Sequence, residues 1–91
     1  MSAQRSREHI LVVDDQPSNL HLVSSVLRKA GYTVDICASA EASLEMLDQT
    51  RYGVVLLDIM LGGMSGLDVL DRIREGDGPN RSSAIIIYTS D

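Results

Sequence analysis

Apolar residues along the chain form four short runs that are separated by longer amphipathic stretches. Residues 10–13 and 54–57 are continuously apolar, which is typical of strands buried on both faces. Residues 32–37 alternate apolar and polar side chains, as expected of a strand at the edge of a sheet. Residues 84–88 form a last apolar run. The pattern therefore predicts four strands.

The three stretches between these runs have the spacing of helices that bury one face. Their apolar stripes consist of Leu20, Val23, Leu27 and Ala30 in the first, Ala40, Leu44 and Leu47 in the second, and Leu67, Leu70 and Ile73 in the third. Pro17 suits the first turn of the first helix, and Gly31 suits its end. Ser39 can cap the second helix, and Ser65 with Asp68 predicts a capping box at the start of the third.

The alternation of strands and helices predicts the topology. A strand that follows a helix must return to the same end of the sheet, so the strands are predicted to be parallel and the crossovers right-handed. This order predicts an α/β fold with a doubly wound parallel sheet. A chain of 91 residues suffices for one such domain, which we place at residues 9–91 after a flexible tail at residues 1–8. The polar loop at residues 76–83 is expected to be mobile.

Acidic and hydroxyl side chains stand at the ends of the apolar strands. Asp14 and Asp15 come after the first strand, Asp58 ends the third, and Thr89 follows the fourth. In open parallel sheets, ligands bind beyond the carboxyl ends of the strands. We therefore expect these four residues to share one site.

Three clustered carboxylates need a compensating positive charge. Two unit charges about 4 Å apart repel by roughly 4 kcal/mol at an effective dielectric constant of about 20. The candidate ligands are all oxygens, which favours a hard divalent cation; Mg²⁺ typically takes one or two carboxylates and shares a phosphate with the substrate. A carboxylate can also attack a phosphoryl group and form an aspartyl phosphate. Asp58, alone at the end of its strand, is the best-placed nucleophile.

The net charge and the remaining reactive residues narrow the function classes. A net charge of −5, with scattered basic residues, argues against nucleic acid or an anionic membrane as the main partner. Cys37 has no second cysteine to pair with, and with His9 and His21 it does not form a zinc-ligand pattern. The apolar residues 10–13 are too few for a signal peptide or a membrane span. We therefore predict a cytoplasmic protein.

Four segments together resemble the receiver domain of two-component response regulators: VVDDQPSN (12–19), RKAGY (28–32), VVLLDIMLGGMSGLDVL (54–70) and IIIYTS (85–90). The resemblance implies a flavodoxin-like receiver fold with strand order 2-1-3-4. It implies that Asp58 accepts a phosphoryl group from a phosphohistidine of a sensor histidine kinase or a histidine phosphotransfer protein. It further implies that Asp15, Asp58 and the carbonyl group of Met60 hold Mg²⁺. Asp14 would assist through water, and Thr89 would contact the transferred phosphoryl group.

The chain departs from the pattern of this family in two respects. Gly62 stands where the family usually has proline, which predicts a less constrained loop after Asp58. The family's fold continues with two further helices and a fifth strand that brings a lysine, whereas the one lysine here, Lys29, falls near the end of the first helix. We therefore expect an incomplete receiver domain whose apolar fourth strand presents an open edge and favours self-association.

Two alternatives stand beside the phosphoacceptor function. A receiver without the elements that transmit the signal could act only as a non-switching interaction module. A dinucleotide-binding enzyme or a phosphohydrolase is disfavoured, because DDQPSN offers no glycine-rich turn and no obvious general acid accompanies the adjacent carboxylates. We expect no conventional enzyme activity. We expect Tyr88 to be a core residue, and its position beside Thr89 leaves a switch role as the alternative.

Overall fold

The computed structural model describes residues 8–89, and this range contains the four predicted strands and the three predicted helices. In chain order, the elements are β1 (His9–Val13), α1 (Pro17–Lys29), β2 (Thr33–Cys37), α2 (Ala40–Gln49), β3 (Val54–Asp58), α3 (Gly66–Glu75) and β4 (Ala84–Tyr88). The predicted tail lies outside the described residues except for Glu8. Within the described range, no helix has the length and apolar character needed to cross a membrane.

The four strands form one parallel sheet in the order β2-β1-β3-β4, which confirms the predicted doubly wound α/β fold. Its register aligns Val13 with Leu57 and Asp58 with Tyr88. Aligned residues of neighbouring parallel strands face the same side of the sheet. The register therefore determines which polar side chains meet at the carboxyl ends of the strands.

Apolar layers cover both faces of the sheet, and alternate residues of β1 supply the two layers. Leu11 and Val13 pack on the face covered by α2 and α3, whereas Ile10 and Val12 pack on the face covered by α1. This explains why β1 is continuously apolar in sequence. Cys37 belongs to the larger layer, where burial raises the pKa of its thiol.

The helix ends follow the signals in the sequence, with one exception. Pro17 is the first residue of α1, and Gly31, with a φ of 100°, follows the end of that helix. The Ser39 hydroxyl accepts a hydrogen bond from a main-chain N–H three residues further on, at 3.1 Å, and the predicted capping box of α3 is present. Ala30, predicted on the buried stripe of α1, is instead exposed because it is the C-cap residue.

The inner face of α3 differs from the predicted one. Val69 and Ile73 are buried together with Gly66, whereas Leu67 is 49% exposed and Leu70 is only partly buried. The cause lies in Gly66, which has no side chain and lets the first turn of α3 approach the end of β3 closely. The close approach sets the rotation of the helix, so the buried stripe runs through Gly66, Val69 and Ile73.

The loop at residues 76–83, which the sequence predicts to be mobile, makes buried hydrogen bonds through two of its side chains. Asn80 and Ser83 are both buried. The Asn80 side chain accepts the N–H of Tyr52 at 2.7 Å and donates to two carbonyl groups at the end of α2, both at 2.7 Å. The Ser83 hydroxyl donates to the carbonyl oxygen of Tyr52 at 2.8 Å. The polar composition of this loop therefore reflects internal pairing as well as contact with water.

The strand β4 forms one edge of the sheet, as the strand order requires. No strand within residues 8–89 pairs with its outer edge. Ile86 is 53% exposed on one face, while Ile85 and Ile87 pack against the layer under α2 and α3. Within residues 8–89, the outer edge of β4 is therefore apolar and carries no neighbouring strand.

Candidate functional site

The carboxyl end of the sheet carries a row of polar side chains that crosses three neighbouring strands. Asp58 ends β3 and is aligned with Tyr88, the last residue of β4. Asp14 directly follows Val13, whose partner in β3 is Leu57, so Asp14 continues the row next to Asp58. Because aligned residues face the same side of a parallel sheet, Asp14, Asp58 and Tyr88 meet on one side.

Asp14 is fully buried and accepts hydrogen bonds on both carboxylate oxygens. Its Oδ1 accepts the N–H of Gln16 at 2.9 Å, and its Oδ2 accepts the hydroxyl of Tyr88 at 2.5 Å. Burial, the hydrogen bond to Asp14 and the charges of Asp14 and Asp58 raise the pKa of Tyr88. The phenol therefore stays protonated at neutral pH and serves as a donor to the buried carboxylate.

Asp58 is also fully buried and is held by the main chain around it. Its Oδ1 accepts the N–H of Met60 at 3.0 Å, a local contact that turns the chain after β3. The N–H of Ile59 donates to the carbonyl oxygen of Tyr88 at 2.8 Å and extends the pairing of β3 with β4 past Asp58. Contacts from the following loop and from the neighbouring strand therefore meet at Asp58.

Asp15 is exposed and borders a cleft of about 750 Å³ between the start of α1 and the loop that follows β3. Its Oδ2 accepts the N–H of Gly62 at 3.2 Å. The family usually has proline at position 62. Proline has no N–H, so it could not make the contact that Gly62 makes with Asp15. The loop predicted to be less constrained is thus tethered to Asp15 through Gly62.

Gly63 in the same loop and Gly66 at the start of α3 have structural reasons to be glycine. Gly63 has a φ of 83°, a conformation that residues with a side chain rarely adopt. Gly66 donates its N–H to the carbonyl oxygen of Ile59 at 3.0 Å, and a Cβ atom at this position would lie 2.2 Å from the carbonyl oxygen of Asp58. The glycines therefore allow the loop to fold back tightly on the end of β3.

The acidic side chains fit a magnesium ion. Asp14, Asp15 and Asp58 each offer one carboxylate oxygen, and these oxygens all lie within 4.8 Å of one another. A set of oxygen donors suits a hard cation, and Mg²⁺ normally keeps several waters beside a few carboxylates. Met60, whose carbonyl group the resemblance implies as a ligand, lines the same cleft, and the residue is 61% exposed.

Of the two other predicted residues, Thr89 lies at the same end of the sheet as this cluster, and Lys29 does not. Thr89 is exposed and comes one residue after Tyr88, the partner of Asp58, so the main chain of β4 carries it to the same end of the sheet. Lys29 is the last of the 13 residues of α1. At about 1.5 Å of rise per residue, the length of this helix separates Lys29 from the acidic end of the sheet.

The family model for the response regulator receiver domain matches residues 10–91. The chain belongs to the response regulator receiver family. This receiver is 39% identical, over 72 residues, to the DNA-binding response regulator MtrA of Mycolicibacterium smegmatis, and the match covers 79% of this chain and 32% of MtrA. The chain therefore spans about a third of the length of that curated relative.

Solved receiver structures have the same fold. The N-terminal domain of a response regulator receiver protein from Methanoculleus marisnigri is 36% identical with a TM-score of 0.86, and the match covers 94% of this chain and 69% of that chain. TrrA from Thermotoga maritima, crystallised in complex with Mg²⁺ and BeF, is 34% identical with a TM-score of 0.84, and the match covers 92% of this chain and 70% of TrrA. These similarities confirm the flavodoxin-like receiver fold.

Tyr88 is the site residue whose contact with the acidic cluster the sequence did not predict. It was expected in the core, with a switch role as the alternative; it is partly buried, and its hydroxyl contacts the carboxylate of Asp14 in the acidic cluster of this receiver. The sequence carries a signal for this position, because Tyr88 ends its strand as Asp58 ends β3. The length of the tyrosine side chain, which lets it reach across β3, is not visible in the apolar pattern.

Proposed function

We propose that this receiver accepts a phosphoryl group on Asp58 from a phosphohistidine of a sensor histidine kinase or a histidine phosphotransfer protein, with Mg²⁺ bound beside it. The observation that carries the proposal is the cluster of three carboxylates, within 4.8 Å of one another, next to an open cleft. Membership in the receiver family supports the same chemistry. The cytoplasm is the proposed compartment.

The proposed transfer is a single displacement at phosphorus. A carboxylate oxygen of Asp58 attacks the phosphorus atom, the N–P bond of the phosphohistidine breaks, and its electron pair returns to the imidazole nitrogen. An acyl phosphate then remains on Asp58, and Thr89 would contact the transferred group. The N–H of Met60, which donates to Asp58 Oδ1, orients the carboxylate. Because the receiver keeps the group it takes, we propose that it is not a conventional enzyme.

The carboxylates have separate proposed roles at the metal. Asp15 and Asp58, with the carbonyl group of Met60, would hold Mg²⁺. When bound, Mg²⁺ supplies positive charge that offsets the charge on the phosphoryl oxygens. Asp14 is fully buried and already accepts two hydrogen bonds, which suits an indirect role through a water molecule.

The proposal is tested by phosphorylation in solution. Incubation with Mg²⁺ and a small acyl phosphate should add one phosphoryl group, measured as the intact mass of the protein. The variant Asp58→Asn should lose the adduct completely, because an amide cannot replace the carboxylate nucleophile. The same change at Asp71→Asn, on the exposed surface of α3, is the matched control and should leave the adduct unchanged.

Two outcomes would contradict the phosphoacceptor function. One is an adduct that survives Asp58→Asn, and the other is the absence of any adduct on the wild-type protein. Mg²⁺ binding without an adduct would favour the alternative of a non-switching interaction module.

We further propose that two copies of this chain associate through the open edge of β4. Antiparallel pairing of β4 with the same strand of a second copy would satisfy the edge groups of both strands at once. Residues 84–88 contain neither a charged residue nor a proline, two features that commonly protect an edge strand from pairing, and Ile86 is 53% exposed.

The variant Ile86→Lys should shift the protein toward the monomer, because a charged side chain on an edge strand disfavours pairing. Val26→Lys introduces the same charge at an exposed position of α1 and is the control. Light scattering over a range of concentrations measures the association. A wild-type protein that stays a compact monomer throughout the range would refute the proposed dimer.

A further inference from the structure

Asp14 accepts one hydrogen bond from within the turn in which it lies and one from outside that turn, and the outside donor is Tyr88. The N–H of Gln16 lies two positions after Asp14 and belongs to the same strand-to-helix connection. The hydroxyl of Tyr88 comes from β4, with β3 lying between β4 and β1. The orientation of the Asp14 carboxylate therefore depends on a residue that lies 74 positions away in the chain.

Two donors on opposite oxygens fix a carboxylate more firmly than one. The terminal torsion of an aspartate side chain is broad, so a single hydrogen bond at Oδ1 leaves the carboxylate plane free to rotate about that contact. The second hydrogen bond, from Tyr88 to Oδ2, removes this freedom. Asp14 is fully buried, so loss of the Tyr88 hydroxyl would leave its Oδ2 short of a donor at a position that bulk solvent does not surround.

The main chain of Tyr88 contacts the segment that directly follows Asp58, the other buried aspartate. Its carbonyl oxygen accepts the N–H of Ile59, the residue that follows Asp58, at 2.8 Å. Tyr88 thus contacts Asp14 through its side chain and the segment after Asp58 through its main chain. One residue of the edge strand therefore links the Asp14 carboxylate to the segment that follows Asp58.

We propose that Tyr88 is a positioning residue of the cation site, holding the Asp14 carboxylate in the orientation that brings it together with Asp15 and Asp58. This inference rests on the proposed function, because it takes Mg²⁺ as the cation. Groups that hydrogen-bond to metal-site carboxylates orient them, and removal of such a group commonly weakens metal binding by about 10–100-fold. Tyr88 therefore affects the cation without contacting it.

The test is the Mg²⁺ affinity of Tyr88→Phe, measured by isothermal titration calorimetry. This change removes one hydroxyl and keeps the ring, and we expect the Kd for Mg²⁺ to rise about tenfold. Tyr52→Phe is the matched control, because the Tyr52 hydroxyl donates to Asp35 at 2.7 Å in a tyrosine–aspartate pair outside the acidic cluster. We expect the control to bind Mg²⁺ as the wild-type protein does.

A second variant separates positioning from a general structural role. If Tyr88 acts through Asp14, Tyr88→Phe should weaken Mg²⁺ binding much less when Asp14→Asn is already present. Equal effects in both backgrounds would show that Tyr88 does not act through Asp14 and would overturn the inference.

A spectroscopic measurement keeps the inference testable if Tyr88→Phe folds poorly. The chain has three tyrosines, so Tyr88 is the remaining one when Tyr32 and Tyr52 are both replaced by phenylalanine. Mg²⁺ should perturb the ultraviolet absorption of this double variant, because its one tyrosine donates to the cation site. An unchanged spectrum under saturating Mg²⁺ would contradict the inference.

The outcomes distinguish this inference from the proposed function. A wild-type protein that does not bind Mg²⁺ would overturn the cation site itself and the role of Tyr88 with it. Normal binding by the wild-type protein, together with equal or tighter binding by a folded Tyr88→Phe variant, would overturn only the role of Tyr88.

Discussion

The substitution Gly66→Ala is expected to lower the free energy of unfolding by about 2–3 kcal/mol, the upper part of the usual range for overpacking. The added Cβ atom would lie 2.2 Å from the carbonyl oxygen of Asp58 and 3.0 Å from the Cα atom of Ile59. Both contacts are with main-chain atoms, so no side-chain rotation can relieve them. Either the start of α3 or the end of β3 must move.

The same movement should weaken the site, because the displaced atoms belong to Asp58 and the residue after it. Urea unfolding gives the change in stability, and a Mg²⁺ titration gives the change in affinity. Gly62→Ala is the matched control in the same loop. Its Cβ atom would meet Asp15 Oδ2 at an ordinary distance of 3.8 Å, so stability should stay equal or rise by up to about 1 kcal/mol.

If Gly66→Ala and Gly62→Ala were equally stable, the close approach of α3 to the end of β3 would not constrain the protein. That result would also remove the explanation for the rotation of α3. The buried stripe through Val69 would then need another cause than the contact at Gly66.

The sheet and its helices could be predicted because their signals are local and periodic. Continuous apolar runs marked β1 and β3, alternation marked β2 as an edge strand, and proline, serine and glycine marked the helix ends. The cluster of Asp14, Asp15 and Asp58 could be predicted for a related reason. Parallel strands bring their carboxyl ends to the same edge, so residues that end different strands meet there.

The buried face of α3 differs from the predicted one, and it shows that the spacing of apolar residues does not always identify the buried face of a helix. Leu67, Leu70 and Ile73 have the spacing of a buried stripe, but so do Gly66, Val69 and Ile73. The choice between these stripes depends on how closely the helix approaches β3. The helix can come this close because Gly66 has no side chain. A pattern of apolar residues gives no weight to a glycine, so it does not indicate this contact.

Contacts between distant segments account for the other residues that were missed. The Tyr88 hydroxyl and Asp14 are 74 positions apart, and the Asn80 side chain contacts residues that are 28 to 33 positions away. Both residues lie in stretches whose local composition indicated something else, an apolar strand for Tyr88 and a polar loop for Asn80. Their roles follow from side-chain reach in the folded chain.

Asn80→Ala is expected to lower the free energy of unfolding by about 3–4 kcal/mol, because it removes several buried hydrogen bonds at once. The Asn80 side chain accepts from the N–H of Tyr52 and donates to the carbonyl groups of Leu47 and Thr50. Alanine would leave these groups without that partner inside the protein. Urea unfolding monitored by circular dichroism measures the loss.

Two further variants identify the cause of the loss. Asn80→Asp keeps the shape and one acceptor but replaces the donating amide by an oxygen that faces two carbonyl groups, so it should destabilise the protein about as strongly as alanine. Asn19→Ala makes the alanine change at a partly buried position of α1 and should alter stability by less than about 0.5 kcal/mol. Wild-type stability in Asn80→Asp would show that the two donated hydrogen bonds contribute nothing. Of the Asn80 contacts, the accepted N–H of Tyr52 would then supply the stabilisation.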